Sequence, residues 1–174
     1  GGFILGETTK EKPTKGNTFL VWQGGDVADF ELVATVRFQG NNSGVQYRSE
    51  LVDEENFVVK GYQADLHPKP EFFGMVYGEK TGRGIIVQRF QKAVAPAEGK
   101  VEVVGEVGDK EQKLVDSEWN ELRIVAVGNR LIHQVNGVTA IDLTDNHKDA
   151  AAKGIVALQL HAGAPMTVEV KSIK

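Results

Sequence analysis

The chain has 174 residues, 41% hydrophobic and 25% charged, with a formal net charge of −4 and no cysteine. This length can bury one sizeable core and predicts a single globular domain over residues 1–174, while the cysteine count excludes disulfides and thiolate metal sites. Lys and Arg are scattered, which predicts no nucleic-acid partner, and no run of about 18 apolar residues or basic-then-apolar start predicts a membrane span or a signal peptide.

In chain order, short apolar or alternating runs separated by glycines read as strands. They are NTFLVW (17–22), DFELVATVRFQ (29–39), GVQYRSEL (44–51), FVVKGYQADL (57–66), FFGMVYG (72–78), GIIVQRF (84–90) and KVEVVGEV (100–107). QKLV (112–115), WNELRIVAVG (119–128), RLIHQVNG (130–137), VTAIDL (138–143), GIVALQLHA (154–162) and MTVEVKSI (166–173) follow. Gly128-Asn129 and Asn136-Gly137 predict two tight hairpins, because Gly and Asn tolerate the backbone angles such turns need. The one helical candidate is a short turn at NHKDAAAK (146–153), and no fixed repeat points to a propeller. Many short strands with turns between them predict an all-β sandwich or barrel.

Alternation assigns side chains to faces. In the 44–51 strand, Val45 and Tyr47 share one face, and Gln46, Arg48 and Glu50 share the other. In 57–66, Gln63, Asp65 and His67 oppose Tyr62, Ala64 and Leu66; in 154–162, Gln159 and His161 oppose Leu158 and Leu160. If these faces converge, they form a polar cleft with an acid, a base and a cation; the alternative is that they are the solvated faces of an antiparallel sandwich. His133 shares its face with Leu131 and Val135 and reads as a core residue, whereas His147 reads as solvated. The glycine-rich segment 73–90 carries Tyr77, Glu79, Lys80 and Arg83 and reads either as a rim loop over a ligand or as a polar hairpin tip. It lacks the G-K-[ST] ending of a phosphate loop. No nucleophile elbow is present, and ELVDEEN places Glu50 and Asp53 at opposite parity, so neither a serine triad nor ordinary two-carboxylate glycoside hydrolysis is predicted.

The blocks FLVWQGGDVADFELVATVRF, NNSGVQYRSE, GYQADL, WNELRIVAVGNRLIHQVNG and GIVALQLHAGAPMTVEVKSI, in this order from about residue 17 to the C-terminus, resemble the 3-keto-disaccharide hydrolase family. The resemblance implies a concanavalin A-like jelly roll of two curved antiparallel sheets in bacterial, usually exported proteins that act on oxidised sugars. It also implies an N-terminal strand, which a chain beginning GGFILGETT is expected to lack, and a Glu where this chain has Gln63. The implied reaction removes the C2 proton, which the C3 ketone acidifies, expels the C1 substituent and adds water. The expectation is a catalytic set of His161, Asp65, Glu50 and Arg48, with Arg48 stabilising the enolate. Gln46, Gln63, Tyr77, Glu79, Arg83 and Gln159 are expected to bind an oligosaccharide or glycoside. No cofactor is certain; Asp65, His67, His161 and Glu50 are candidate ligands for a divalent ion such as calcium or manganese. The alternatives are a non-catalytic carbohydrate-binding module on the same fold, with Tyr62 and Tyr77 as platforms and Trp22 and Trp119 in the core, and a purely structural sandwich.

Overall fold

The structure, a computed structural model, describes residues 2–115 and 117–174. Two sheets form a sandwich. One runs, in spatial order, β1 (Ile4–Thr8), β14 (Met166–Ile173), β3 (Phe30–Gln39), β10 (Asn120–Val127), β11 (Arg130–Val135), β12 (Val138–Asp145), β8 (Gln91–Ala95) and β9 (Glu102–Glu106). The other runs β2 (Thr18–Val21), β13 (Ile155–Leu160), β4 (Ser43–Asp53), β5 (Val58–Leu66), β6 (Val76–Glu79) and β7 (Gly84–Val87). All pairings are antiparallel except β12 with β8, which is parallel, so the first sheet is mixed.

Two strands escaped the pattern reading. β1 pairs along its length with β14, and β8 follows a turn in which Phe90 adopts φ 70°, a conformation its side chain does not announce. Conversely, residues 112–115 form no strand, and 146–153 form turns and bends rather than a helix. Among the described residues the helical content is one 3-10 turn, Pro70–Phe72. The two predicted hairpins are present, with Gly128 at φ 54° and Asn136 and Gly137 at φ 49° and 78°.

Alternation decides what fills the space between the sheets. Leu32, Ala34, Val36 and Phe38 of β3 and Leu122, Ile124 and Ala126 of β10 meet Val45, Tyr47, Tyr62, Ala64 and Leu66 from the second sheet in one continuous core. Each such large apolar side chain, fully buried, stabilises the fold by roughly 1.5–3 kcal/mol. His133 lies in this core, its Nδ1–H donating to Gly74 O at 2.9 Å and its Nε2 accepting the Tyr47 hydroxyl at 2.9 Å. The outward face of the second sheet carries a small apolar cluster, Phe19, Val59 and Ala157 with Leu51, at one end and the polar residues of the next section at the other.

The alternation breaks inside β4. Tyr47 pairs with Tyr62 and Glu50 with Lys60, so Arg48 and Ser49 together oppose Gly61 in a β-bulge, with Arg48 at φ 44°. A Cβ on Gly61 would stand 2.3 Å from Ser49 Oγ, so only glycine fits across from the bulge. Beyond it the faces exchange: Ser49 and Leu51 join the outward side with Gln46, and Glu50 turns away.

Candidate functional site

On the outward face, β13, β4, β5 and β6 bring their polar side chains together. In β5 the face is Gln63, Asp65 and His67; β6 adds Tyr77 and Glu79, β13 adds Gln159 with His161 just past its end, and Asn17 and Asn42 come from the flanking turns. Met75 and Ile85 complete the wall of a pocket of about 220 Å³. Space for it comes partly from Gly44, opposite Asp65 in the register, where a Cβ would meet the Gln63 side chain at 2.4 Å.

Asp65 is the centre of the arrangement, with 2% of its surface exposed. Burial pushes its carboxyl up to about 7, and the nearby Glu79 carboxylate pushes the same way, while hydrogen bonds from Gln63 and Asn42 oppose the shift. Gln63 Nε2 donates to Asp65 Oδ1 at 2.5 Å. Behind Gln63 runs a buried chain of donors: Ser49 Oγ–H to Gln46 Oε1 at 2.8 Å, and Gln46 Nε2 to Gln63 Oε1 at 2.9 Å. Each amide is thereby oriented, so that Gln63 must show its N–H₂ end to Asp65. Gln63 Nε2 also approaches Gln159 Oε1 at 3.4 Å, which leaves the Gln159 amide N–H₂ free to donate to a ligand.

Glu79 is also held above the ordinary carboxylate range by burial, against the pull of Lys80, a hydrogen bond from Asn17, and His161. His67 is shifted down, first by burial and then by Lys69; its Nδ1 accepts the Lys69 N–H at 3.0 Å, so the neutral ring carries its proton on Nε2. Phe72 packs edge-on against this ring at 5.0 Å. His161 Nδ1 lies 2.5 Å from Ala162 O and donates to it, and Asn41 Nδ2, 3.1 Å from the same nitrogen, also bonds Ala162 O at 3.0 Å. His161 Nε2 is the ring nitrogen left for chemistry.

Of the residues singled out in the sequence, Asp65, His161, Gln63, Gln159, Tyr77 and Glu79 therefore line one pocket, and Gln46 stands directly behind it. Arg48 and Glu50 do not join them. The bulge turns the Arg48 side chain away, to Ala28 O at 2.8 Å, Gly128 O at 2.7 Å and Asp29 Oδ1 at 3.2 Å, where it ties loops together with 2% exposure. Glu50 is exposed opposite Lys60, on the wrong face and too far along the strand. Arg83 makes a two-pronged ion pair with Asp145 at 2.7 and 3.0 Å and lines a neighbouring cleft instead. Tyr62 is no platform: it is buried, with its hydroxyl donating to Asp145 at 2.5 Å. Trp22, expected in the core, is 52% exposed, and Trp119 is half-buried beneath the Arg37 guanidinium, 4.6 Å from the ring centroid. Sequence reasoning missed Asn17, Asn42, Met75 and Ile85 as pocket residues; the first two stand in turns, where alternation says nothing about direction.

Three of the four candidate metal ligands share the pocket without forming an ion-binding set. Among the described residues no three of His, Cys, Asp and Glu are placed to hold an ion, and Glu50 is absent from the pocket that Asp65, His67 and His161 line.

Comparison with solved structures finds the same two-sheet sandwich in other proteins. A carbohydrate-binding module, CBM66, from Bacillus subtilis superposes with a TM-score of 0.56 at 15% identity, covering 96% of this chain and 88% of that one. A Bacillus subtilis protein with a galectin-like fold gives 0.55 at 8% identity over 98% and 88%. A candidate glycosyl hydrolase of Parabacteroides distasonis ATCC 8503 gives 0.54 at 13% identity over 88% and 75%. At these identities the likeness is one of fold. Among curated proteins no sequence matches. A family model described as a 3-keto-alpha-glucoside-1,2-lyase-like domain matches residues 2–174.

Proposed function

The chain belongs to the 3-keto-alpha-glucoside-1,2-lyase-like family, and from that premise we propose that it cleaves 3-keto-glycosides in the pocket around Asp65 by eliminating the C1 substituent and then adding water. The observation that carries this reading is a buried carboxyl poised near neutrality beside an imidazole with a free Nε2, in a space below the roughly 300–1,000 Å³ of a drug-sized site. That space suits a single sugar ring.

The reaction needs a base at C2, an acid at the leaving oxygen and donors at the enolate. With Asp65 ionised and His161 protonated, the Asp65 carboxylate takes the C2 proton and the electron pair of that C–H bond forms the enolate. As the enolate collapses, the C1–O bond breaks and His161 Nε2–H protonates the departing oxygen. The Gln159 amide N–H₂ and His67 Nε2–H are the donors available to the oxygen at C3; both are neutral, and they replace the Arg48 guanidinium in this role. Hydration runs in reverse with water in place of the leaving group: His161 accepts a proton from water as it adds at C1, and Asp65 returns a proton to C2. The pair ends in its starting state, and the net change is hydrolysis.

The test is a 3-keto-glucoside deuterated at C2. Turnover with a primary isotope effect, and with exchange of the label for solvent hydrogen in the product, is expected. Tight binding of unoxidised sugars with no turnover of any 3-keto-glycoside would instead identify a carbohydrate-binding module, a reading favoured by the CBM66 likeness alone.

A further inference from the structure

The pocket around Asp65 has room for one ring, and its only aliphatic wall on the β7 side is Ile85. Ile85 pairs with Tyr77 on the outward face of the last strand of its sheet, and 45% of its surface is exposed. The same side chain lines a second, larger cleft of about 620 Å³, formed where β7 meets the connection between β8 and β9 and the turn after β12. The two hollows therefore share one wall, the Ile85 side chain.

We infer that this second cleft is the subsite for the leaving group, and that it takes a neutral polyhydroxylated unit such as a second sugar ring. The inference rests on the reaction proposed above. The groups that move protons, Asp65 and His161, are both in the first pocket, so the reacting ring belongs there. The second is furnished for recognition. Gln88 and Gln91 face each other across a turn in which Gln91 Oε1 accepts the Gln88 N–H at 2.9 Å, and Gln91 keeps both amide donors. Lys100 supplies a third donor from the opposite wall, and Val103 an exposed aliphatic surface against which the apolar face of a ring can pack. The Arg83 charge is already neutralised by Asp145, so the cleft has no unbalanced cationic cluster to select an anionic group. No Phe, Tyr or Trp among the described residues lines it, which disfavours a flat aryl group.

The experiment compares a 3-keto-disaccharide with methyl 3-keto-glucoside, whose leaving group is too small to cross Ile85. In Gln88→Ala/Lys100→Ala the ratio of kcat/KM for the two substrates should fall about tenfold, since two exposed hydrogen bonds are lost at roughly two- to tenfold each. An unchanged ratio overturns the subsite. A second readout separates this from failure of the reaction itself: backbone amide shifts with an unoxidised disaccharide and with glucose. The disaccharide should move the amides of Gln88 and Lys100 where glucose moves only those around Tyr77 and Gln159. If wild type turns over neither keto-glycoside, the proposed reaction is wrong, and these shifts alone decide the subsite. Absence of shifts at Gln88 and Lys100 overturns it in either case.

Discussion

The two faces of β5 carry polar clusters of similar size with opposite fates. Inward, Tyr62 joins Asp145 and Arg83, and Tyr47, stacked on Tyr62 with centroids 5.6 Å apart, joins His133. Outward, one residue further along, Gln63, Asp65 and His67 face the pocket. Burial displaces acidities on both sides: His133 is lowered to about 4, Tyr62 is raised, and Asp65 is raised to about 7. A displaced pKa thus does not separate a site from a strut. Spare hydrogen-bonding capacity next to a cavity does. Within the core the Tyr47 hydroxyl, both His133 nitrogens and both Asp145 oxygens are already paired, whereas the pocket leaves His161 Nε2 and the Gln159 amide N–H₂ to a ligand.

The largest effect should expose this difference directly. Asp65→Asn keeps the shape and the partner Gln63 but removes the proposed base, and should lower kcat on a 3-keto-glucoside by about 10²- to 10⁴-fold. Its melting temperature should hold or rise, since a buried carboxyl is replaced by a neutral amide. Tyr62→Phe should do the reverse, keeping kcat within a few-fold and destabilising the fold, because Asp145 loses a donor in a buried setting, at about 1–3 kcal/mol. Equal losses of turnover in the two variants would abolish the distinction between the faces.

A second comparison uses pH, because the two buried groups titrate with opposite consequences. Asp65 holds its proton in the fold up to about 7, whereas the unfolded chain releases it near 3.8, so stability declines as pH rises between those values. His133 stays neutral in the fold down to about 4, whereas the unfolded chain takes up a proton near 6.5, so stability increases as pH rises across that window. From about pH 4 to 6.5 the two slopes, each up to about 1.4 kcal/mol per pH unit, offset one another. Denaturant unfolding of Asp65→Asn should therefore show stability rising more steeply with pH than in wild type, and His133→Gln should show it rising less steeply or falling. Should His133→Gln fail to fold, the Asp65→Asn curve is sufficient: a slope no steeper than wild type would mean that the Asp65 carboxyl is not held protonated.

How far the sequence reaches follows from where the chain stays regular. Along β5 and β13 alternation is unbroken, and it placed Gln63, Asp65, Gln159 and His161 on one face with Leu66 and Leu158 on the other. The same parity rule misassigned Arg48 and Glu50 because it assumes a continuous ladder, and the extra residue at Arg48 and Ser49 reverses the side chains that follow, up to a second shift between Leu51 and Asp53. The signal was on the neighbouring strands. Gly61 interrupts an otherwise strong strand, and a Cβ on Gly154 would fall 2.3 Å from Ser49 O, so both neighbours of the bulge are glycine. An isolated glycine in a strand marks a bulge without saying in which partner the extra residue lies, and that ambiguity placed a loop-tying arginine among the expected site residues. Asn17 and Asn42 were illegible for another reason: they point into the pocket from turns, where only the assembled fold sets direction.

The smallest predicted effect tests whether the bulge nonetheless serves the pocket. By bringing Ser49 to the outward face it places a hydroxyl 2.8 Å from Gln46 Oε1, the shorter of its contacts, with Tyr47 O at 3.0 Å competing for the same proton; donated to Gln46, that proton supports the polarity of the Gln46–Gln63–Asp65 chain. With Gln46 Oε1 accepting that proton, its N–H₂ goes to Gln63 Oε1 and Gln63 Nε2 donates to Asp65. Ser49→Ala removes the first donor at a cost of about 1 kcal/mol of stability and lets either amide turn over. A Gln63 that presents its oxygen to Asp65 no longer stabilises the carboxylate, so the Asp65 pKa rises further. Because the ionised carboxylate is the proposed base, the acidic limb of the pH profile of kcat/KM should move to higher pH in Ser49→Ala, with a rate loss below tenfold at neutral pH and little loss above the limb. An acidic limb that stays in place while stability falls would show that Ser49 only fills the bulge, and that the orientation of Gln63 is set within the pocket itself.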